Sequence, residues 1–370
     1  MWRARILGDS LLYAQTHDPN PSYTDGRLRD SYFVAPSFVT SGGPVQLDGA
    51  PAYLNGTAVG NVAWAGLALA RLYAYTGGQS YLDGALKLGA WIVNNAYDAG
   101  GYGGYKFGVN ADNSPSANGK STEHNIDTYA FFVELAQLTG DQTYAGLTQP
   151  QPWSVLAGHA LDFVHAMWEP TVGHFWTGTN PDGSINKYPI PEDVQTWSYL
   201  ALEDPAYAAS VDWASARLAV TDAPEARNAT LTGNVNFSGV TFSNGSMQAD
   251  PTVAPNGYTP KPDLSAVWFE GTAHIADALL FRDTRDSSAT VLGDDRALAA
   301  FYLSNIQRAQ ALLGQNQTVG GKALAPGYRV CEKSWERGRD VSVDFLTDRV
   351  RWRTERAVVA ARNPWRGERR

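Results

Sequence analysis

Gly119-Lys-Ser-Thr-Glu-His-Asn-Ile-Asp-Thr-Tyr129 is the stretch around which the rest of the chain is read. A loop rich in Asn, Gly and Ser, from Gly108 to Lys120, leads into it. Ser121 or Thr122 then serves as an N-cap, and an apolar helix runs on from Tyr129 to Leu138. Glu123 and Asp127 are four apart, so they share one helix face about a turn apart. Carboxylates in a first helical turn are often simple compensation for the helix dipole. Two later stretches argue for more than that. Pro191-Glu-Asp-Val-Gln-Thr-Trp197 and Val267-Trp-Phe-Glu-Gly-Thr272 also set a carboxylate, Asp193 or Glu270, beside a Trp at a helix start.

Working outward, the segments around this stretch predict helices in pairs. Gly60 to Tyr75 carries Val62, Ala63, Trp64, Leu67, Ala68, Leu69, Leu72 and Tyr73 with Arg71 as its only charge, which predicts a helix buried on all sides. Ser80 to Val93 predicts a one-sided helix, with Leu82, Leu86, Gly89 and Val93 in a stripe and Asp83 and Lys87 outside it. Thr76-Gly-Gly-Gln-Ser-Tyr81 returns 63 residues later as Thr139-Gly-Asp-Gln-Thr-Tyr144. The second inner helix is then Glu123 to Leu138, with an outer partner near Trp153 to Met167. A third begins after Pro191 and stops near Asp204-Pro205. A fourth spans Leu264 to Phe281, with an outer partner from Arg296 to Leu313. Such a repeat of helix pairs predicts a mainly α fold of inner and outer hairpins. The expected domain is 1–325, with a loop or β insertion near 205–263, where Asn228 to Met247 has strand-like or loop-like composition.

Composition narrows the function. The chain has 370 residues, long enough for a large core, and 12 Trp, 18 Tyr and 13 Phe, which suit both cores and the faces of sugar rings. Its net charge of −8 argues against nucleic acid as a partner. No run of apolar residues is long enough to span a membrane. The first residues lack the apolar run of a signal peptide, so localisation stays open, and a secreted natural form would carry its leader elsewhere. One cysteine, Cys331, leaves the redox compartment undecided. From Pro326 to Arg370 the texture changes to 12 Arg plus Lys against 7 Asp plus Glu. This stretch is expected to be an atypical Arg-rich tail, either appended or translated from a foreign reading frame.

The fragments Gly60-Asn-Val-Ala-Trp64, Ser121-Thr-Glu-His-Asn-Ile-Asp127, Asp193-Val-Gln-Thr-Trp197 and Trp268-Phe-Glu-Gly-Thr272 resemble those of the six-hairpin (α/α)6 toroid glycosidases, including an uncharacterised bacterial branch. The resemblance covers roughly residues 50–315 and implies an (α/α) toroid of inner and outer helix hairpins, incomplete at its C-terminus. It implies a glycoside hydrolase acting on a polysaccharide or oligosaccharide, with inversion as the common outcome in that group. The chemistry needs one carboxylic acid to protonate the leaving oxygen and one carboxylate to activate water or attack the sugar. The acid needs a raised pKa, which apolar burial supplies. On that logic Glu270, between Phe269 and Gly271, is the expected acid. Glu123, at a polar helix start, is the expected ionised base, with Asp127 next and Asp193 able to replace either.

Trp64, Trp197 and Trp268 are candidate linings of a sugar-binding funnel, each weighed against a plain core role. Tyr102 and Tyr105, in the Gly-rich loop Tyr97 to Tyr105, join them, as do His124 and Asn125 beside Glu123. His124 is also a candidate base if the reaction is that of the related sugar epimerases. A polysaccharide lyase or sugar epimerase on the same toroid is the first alternative, and a non-catalytic carbohydrate-binding protein the second. Asp112 and Asp182 lie in loops without the spacing of a calcium loop, so neither a metal nor a cofactor is expected.

Overall fold

The structure, a computed structural model, describes residues 2–18, 23–30, 56–116, 118–229, 231, 233–253, 261–284, 289–313, 318–319 and 322–323. The Arg-rich tail lies outside the described residues. The chain divides into two compact units, Met1–Tyr302 and Leu303–Arg370. In the second, the last turns of a helix are followed by two short antiparallel strands, Thr318–Val319 and Lys322–Ala323.

The helices are α1 (Trp2–Thr16), α2 (Val59–Thr76), α3 (Gln79–Ala96), α4 (Thr122–Thr139), α5 (Trp153–Ala166), α6 (Asp193–Leu202), α7 (Ala208–Arg217), α8 (Phe269–Asp283) and α9 (Ala289–Leu312). Helices α2, α4, α6 and α8 form an inner series in which each packs on the next. Outer helices α3, α5 and α7 each lie against the inner helix before them, and α1 covers α2 and α3. This is the inner-and-outer hairpin arrangement of an (α/α) toroid. Helix α7 falls in the stretch read from sequence as a loop or β insertion. The β part of that stretch is a hairpin of Ala219–Asp222 and Phe237–Val240.

Local chemistry explains the repeated ends. Helices α2 and α4 stop at Gly77 and Gly140, whose φ of 68° and 65° suits glycine. The Thr76 and Thr139 hydroxyls turn back onto the Leu72 and Leu135 carbonyls. That pair of stops is the Thr-Gly echo seen in the sequence. Ser121 caps α4, its hydroxyl accepting from the His124 amide at 3.3 Å. Outer helix α3 buries Leu82, Ala85, Leu88, Gly89, Trp91, Ile92 and Val93, and leaves Asp83 and Lys87 outside. The inner helices are not buried all round. Asn61, Trp64, Ala68 and Tyr75 make an exposed line along α2.

The core lies between the layers. Trp91, Trp153, Tyr105, Phe131 and Phe132 are all at most 2% exposed. A second cluster gathers Ile126, Phe163, Val164, Met167, Phe175 and Val194 where α4, α5 and α6 meet. At the N-terminal ends of the inner helices, short strands stitch successive loops together. Thr57–Ala58, just before α2, pairs with Gly108–Val109. Lys120–Ser121, just before α4, pairs with Gly178–Thr179. Pro191, just before α6, bridges to Ser243. Gly108 and Gly178 hold equivalent places, with φ of 144° and 148°. A side chain at either would collide with the backbone of the paired strand, at Thr57 or Lys120.

Candidate active site

A single backbone device, used three times, sets the angle of each acid-bearing helix. Asn125 accepts from the Tyr105 amide (2.8 Å) and donates to the Tyr105 and Ser121 carbonyls (3.1 and 2.8 Å). Gln195 accepts from the Phe175 amide (2.8 Å) and donates to the Phe175 and Pro191 carbonyls (3.0 and 3.1 Å). Thr272 accepts from the Val240 amide (3.1 Å) and donates to the Trp268 carbonyl (2.8 Å). Each clamp sits two residues after an acid, namely Glu123, Asp193 or Glu270. It ties the first turn of an inner helix to the preceding loop, so the acids are presented at the same level.

The acids then meet across the helices. Glu123 is pushed up to about 8, by burial first and then by Asp193 and Glu270, with His274 opposing. Asp193, 4% exposed, is pushed up to about 7 by burial, then by Glu192 and Glu270, while the Val194 amide opposes. Asp127, also 4% exposed, is held well above the usual carboxylate range by burial, Glu123 and Asp193. The Trp64 indole N–H donates to it and partly offsets this. Glu192, fully buried, is likewise raised by burial and by Glu270, against the nearby Thr196 hydroxyl. Among the described residues, the only ion pair to any of these five acids is His274 Nδ1 to Glu192 Oε2, at 3.5 Å. No three His, Cys, Asp or Glu side chains among the described residues are placed to hold a metal ion.

Aromatic rings border the acids. Trp64, 46% exposed, meets Trp197 edge-on at 5.4 Å. Trp197 meets His274 at 5.0 Å, and His274 meets Trp268 at 5.7 Å. The wall thus crosses from α2 to α6 to α8. Counting from each inner helix start, residues four apart face the same way: Gly60 and Trp64, Glu123 and Asp127, Asp193 and Trp197, Glu270 and His274.

Several sequence expectations are corrected by this geometry. Glu270, expected to be buried, is exposed at the start of α8, and Glu123, expected to stay ionised, is the carboxyl that burial favours in its protonated form. Asn125 is fully buried and spends its amide on backbone, so it supports the site and does not contact a ligand. Tyr105 is fully buried, with its hydroxyl donating to the Leu156 carbonyl, and is a core residue. His124 is buried against Gly60 and Phe107, and burial depresses it to about 4, so it is neutral and outside the acid cluster. Tyr102 is exposed on the Gly-rich loop and shares no ring contact or hydrogen bond with the acids. Asp112 and Asp182 each hold a turn through Ser114 and Ser184.

Glu192 and His274 were missed in the sequence. The four-residue spacing that linked Glu123 to Asp127 also links Glu270 to His274, so that signal was present. Glu192 carried no comparable signal, because adjacent residues on a helix do not face the same way.

No family model matches the sequence, and no curated protein is similar to it. Among solved structures, the chain is similar to a glycoside hydrolase family 76 mannosidase from Bacteroides thetaiotaomicron, at 12% identity and a TM-score of 0.43, over 72% of this chain and 62% of that one. It is similar to a family 76 alpha-mannanase from the same organism, at 17% identity and a TM-score of 0.40, over 66% of this chain and 56% of that one. A third similar structure is the cellobiose 2-epimerase from Bacillus thermoamylovorans, at 14% identity and a TM-score of 0.46, over 72% of this chain and 66% of that one. The chain therefore spans about 62% and 56% of the two family 76 structures.

Proposed function

We propose that this protein is a carbohydrate-active enzyme, and that its reaction is hydrolysis of a glycosidic bond by paired carboxyl groups. The observation that carries this reading is the meeting of carboxyls from α4, α6 and α8 with His274 as their only ion-pair partner among the described residues. Crowded acids of this kind cannot all be charged at once, so some keep protons at neutral pH. Glu123, raised to about 8, is the proton donor to the leaving oxygen. Glu270, open to solvent, meets the incoming water and takes its proton as the hydroxyl attacks the anomeric carbon. Asp193 shares charge with both and is the next candidate for either role. Trp64, Trp197 and Trp268 offer faces on which a sugar ring stacks.

The test is a screen of neutral glycans, α-mannan and cello-oligosaccharides first, for released reducing ends. Glu123→Gln and Glu270→Gln should each lower turnover by about 10²–10⁴-fold while the protein stays folded. Unchanged turnover in both variants removes the assignment.

A second reading, sugar epimerisation or isomerisation, is favoured by His274, whose imidazole sits on Glu192 and against Trp197 and Trp268. There the imidazole would shuttle a proton at a carbon next to the sugar carbonyl. Deuterium uptake from heavy water into a recovered sugar, with no new reducing ends, would establish that reaction in place of hydrolysis.

A further inference from the structure

Phe242 is a large apolar side chain that is 45% exposed although its backbone is fastened on both sides. The Thr241 amide donates to the Leu218 carbonyl (2.9 Å), and the Phe242 carbonyl accepts from the Glu192 amide (2.8 Å). Ser243 bridges to Pro191, and the Ile190 amide donates to Asn244 Oδ1 at 2.8 Å. Thr241 and Ser243 are buried, at 4% and 3%. The chain bends at Phe242, between those two buried neighbours, and leaves its ring outward. Its exposure is built in by the backbone.

The ring is also placed where the site needs an extension. Its own carbonyl is bonded to the backbone of Glu192, one of the five acids. Its edge-to-face contact with Trp268 has a centroid distance of 5.1 Å and an angle of 77°. Trp268 in turn meets His274. The aromatic wall of the acid cluster therefore runs on through Trp268 to an open ring at its end.

We infer that Phe242, with Trp268 beside it, forms a binding subsite for a further sugar unit of a neutral glycan chain that extends beyond the unit held at the acids. This rests on the carbohydrate-active reading above. A pyranose ring lays its C–H face on an aromatic face, and the exposed Phe242 ring offers one beside the partly exposed Trp268. The chain's net charge of −8 disfavours an anionic glycan, which commits the subsite to neutral chains.

Binding of α-1,6-linked manno-oligosaccharides and of cello-oligosaccharides, from two to six units, tests this in the Glu123→Gln background by calorimetry. Affinity should rise with chain length for at least one series. Phe242→Ala should weaken the longest member about tenfold and the disaccharide by less than about twofold. Phe242→Tyr, which keeps the ring, should restore the dependence on length. An equal loss for short and long chains, or no binding by any oligomer, overturns the subsite. Turnover by the unmodified protein is read separately. Length-dependent binding without hydrolysis would sink the hydrolase reading and leave the subsite standing. Hydrolysis with no effect of Phe242→Ala on chain-length preference would do the reverse.

Discussion

Two regions of the molecule bury carboxylates, and they treat them in opposite ways. At the junction of α8 and α9, Arg282 grips Asp295 with both Nε and Nη2 at 2.7 Å. It also reaches Asp212 at 2.7 Å and the Ala208 carbonyl at 3.2 Å, while Arg296 pairs with Asp283. At the starts of α4, α6 and α8, Glu123, Asp127, Glu192 and Asp193 gather beside the exposed Glu270, with His274 as their only ion-pair partner among the described residues. A buried charge without a partner costs free energy that a paired one largely recovers. The first arrangement holds a hairpin together. The second lowers stability and keeps protons available, as the proposed chemistry requires.

The largest expected effect breaks the paired region. Arg282→Ala leaves the buried Asp295 without its grip, and should cost about 3–5 kcal/mol in chemical denaturation. Activity per folded molecule should be unchanged, since Arg282 takes no part in the acid cluster. Near-neutral stability would mean that pairing does not distinguish the two regions.

A smaller effect lies between the regions, in the clamps that angle the acids. Asn125→Ala and Gln195→Ala each orphan a backbone amide and carbonyl, and should cost about 1–3 kcal/mol by thermal unfolding. Because the clamps set the level of the acids, both variants should also lower kcat more than they raise KM. A loss of stability with kinetics intact would make them structural pegs only.

How far the sequence exposed each region follows from the same physics. Helices α2 and α4 showed as apolar runs ending in the Thr-Gly echo, because helix stops are local and depend on one glycine. Helix α7 did not show, since Ala208-Ala-Ser-Val-Asp-Trp-Ala-Ser-Ala is short and small-sided and follows the turn at Asp204-Pro205. The acids were visible as carboxylates beside Trp. Their relative burial was not, since the acids that crowd Glu123 stand on α6 and α8 and no neighbour in sequence reports that. The clamp on Tyr105 was equally hidden: Asn125 looked like a ligand contact because its partners lie 20 residues away in the chain. Phe242 stands exposed because of what is buried on either side of it, a fact set by pairing with Pro191.

The smallest effect is the one that most directly weighs the acid cluster. Glu123 rises from 4.5 to about 8, and Asp193 from 3.8 to about 7. Between those limits the folded protein holds protons that the unfolded chain has released. Stability therefore falls as pH rises from about 4 to about 8, by about 1.4 kcal/mol per pH unit for each extra proton held. Paired carboxylates give the opposite sign, because their folded pKa is lowered. Glu123→Gln removes one of the crowded charges, so it should flatten the slope and raise stability near pH 8, by about 1 kcal/mol once solvent screening at the partly exposed site and relaxation of the neighbouring acids are discounted from the full linkage value. Urea denaturation of both proteins across that range reads the difference. If the unmodified protein becomes more stable toward pH 8, or the Gln variant keeps the full slope, the cluster is not a store of charge repulsion, and the contrast between the two regions disappears.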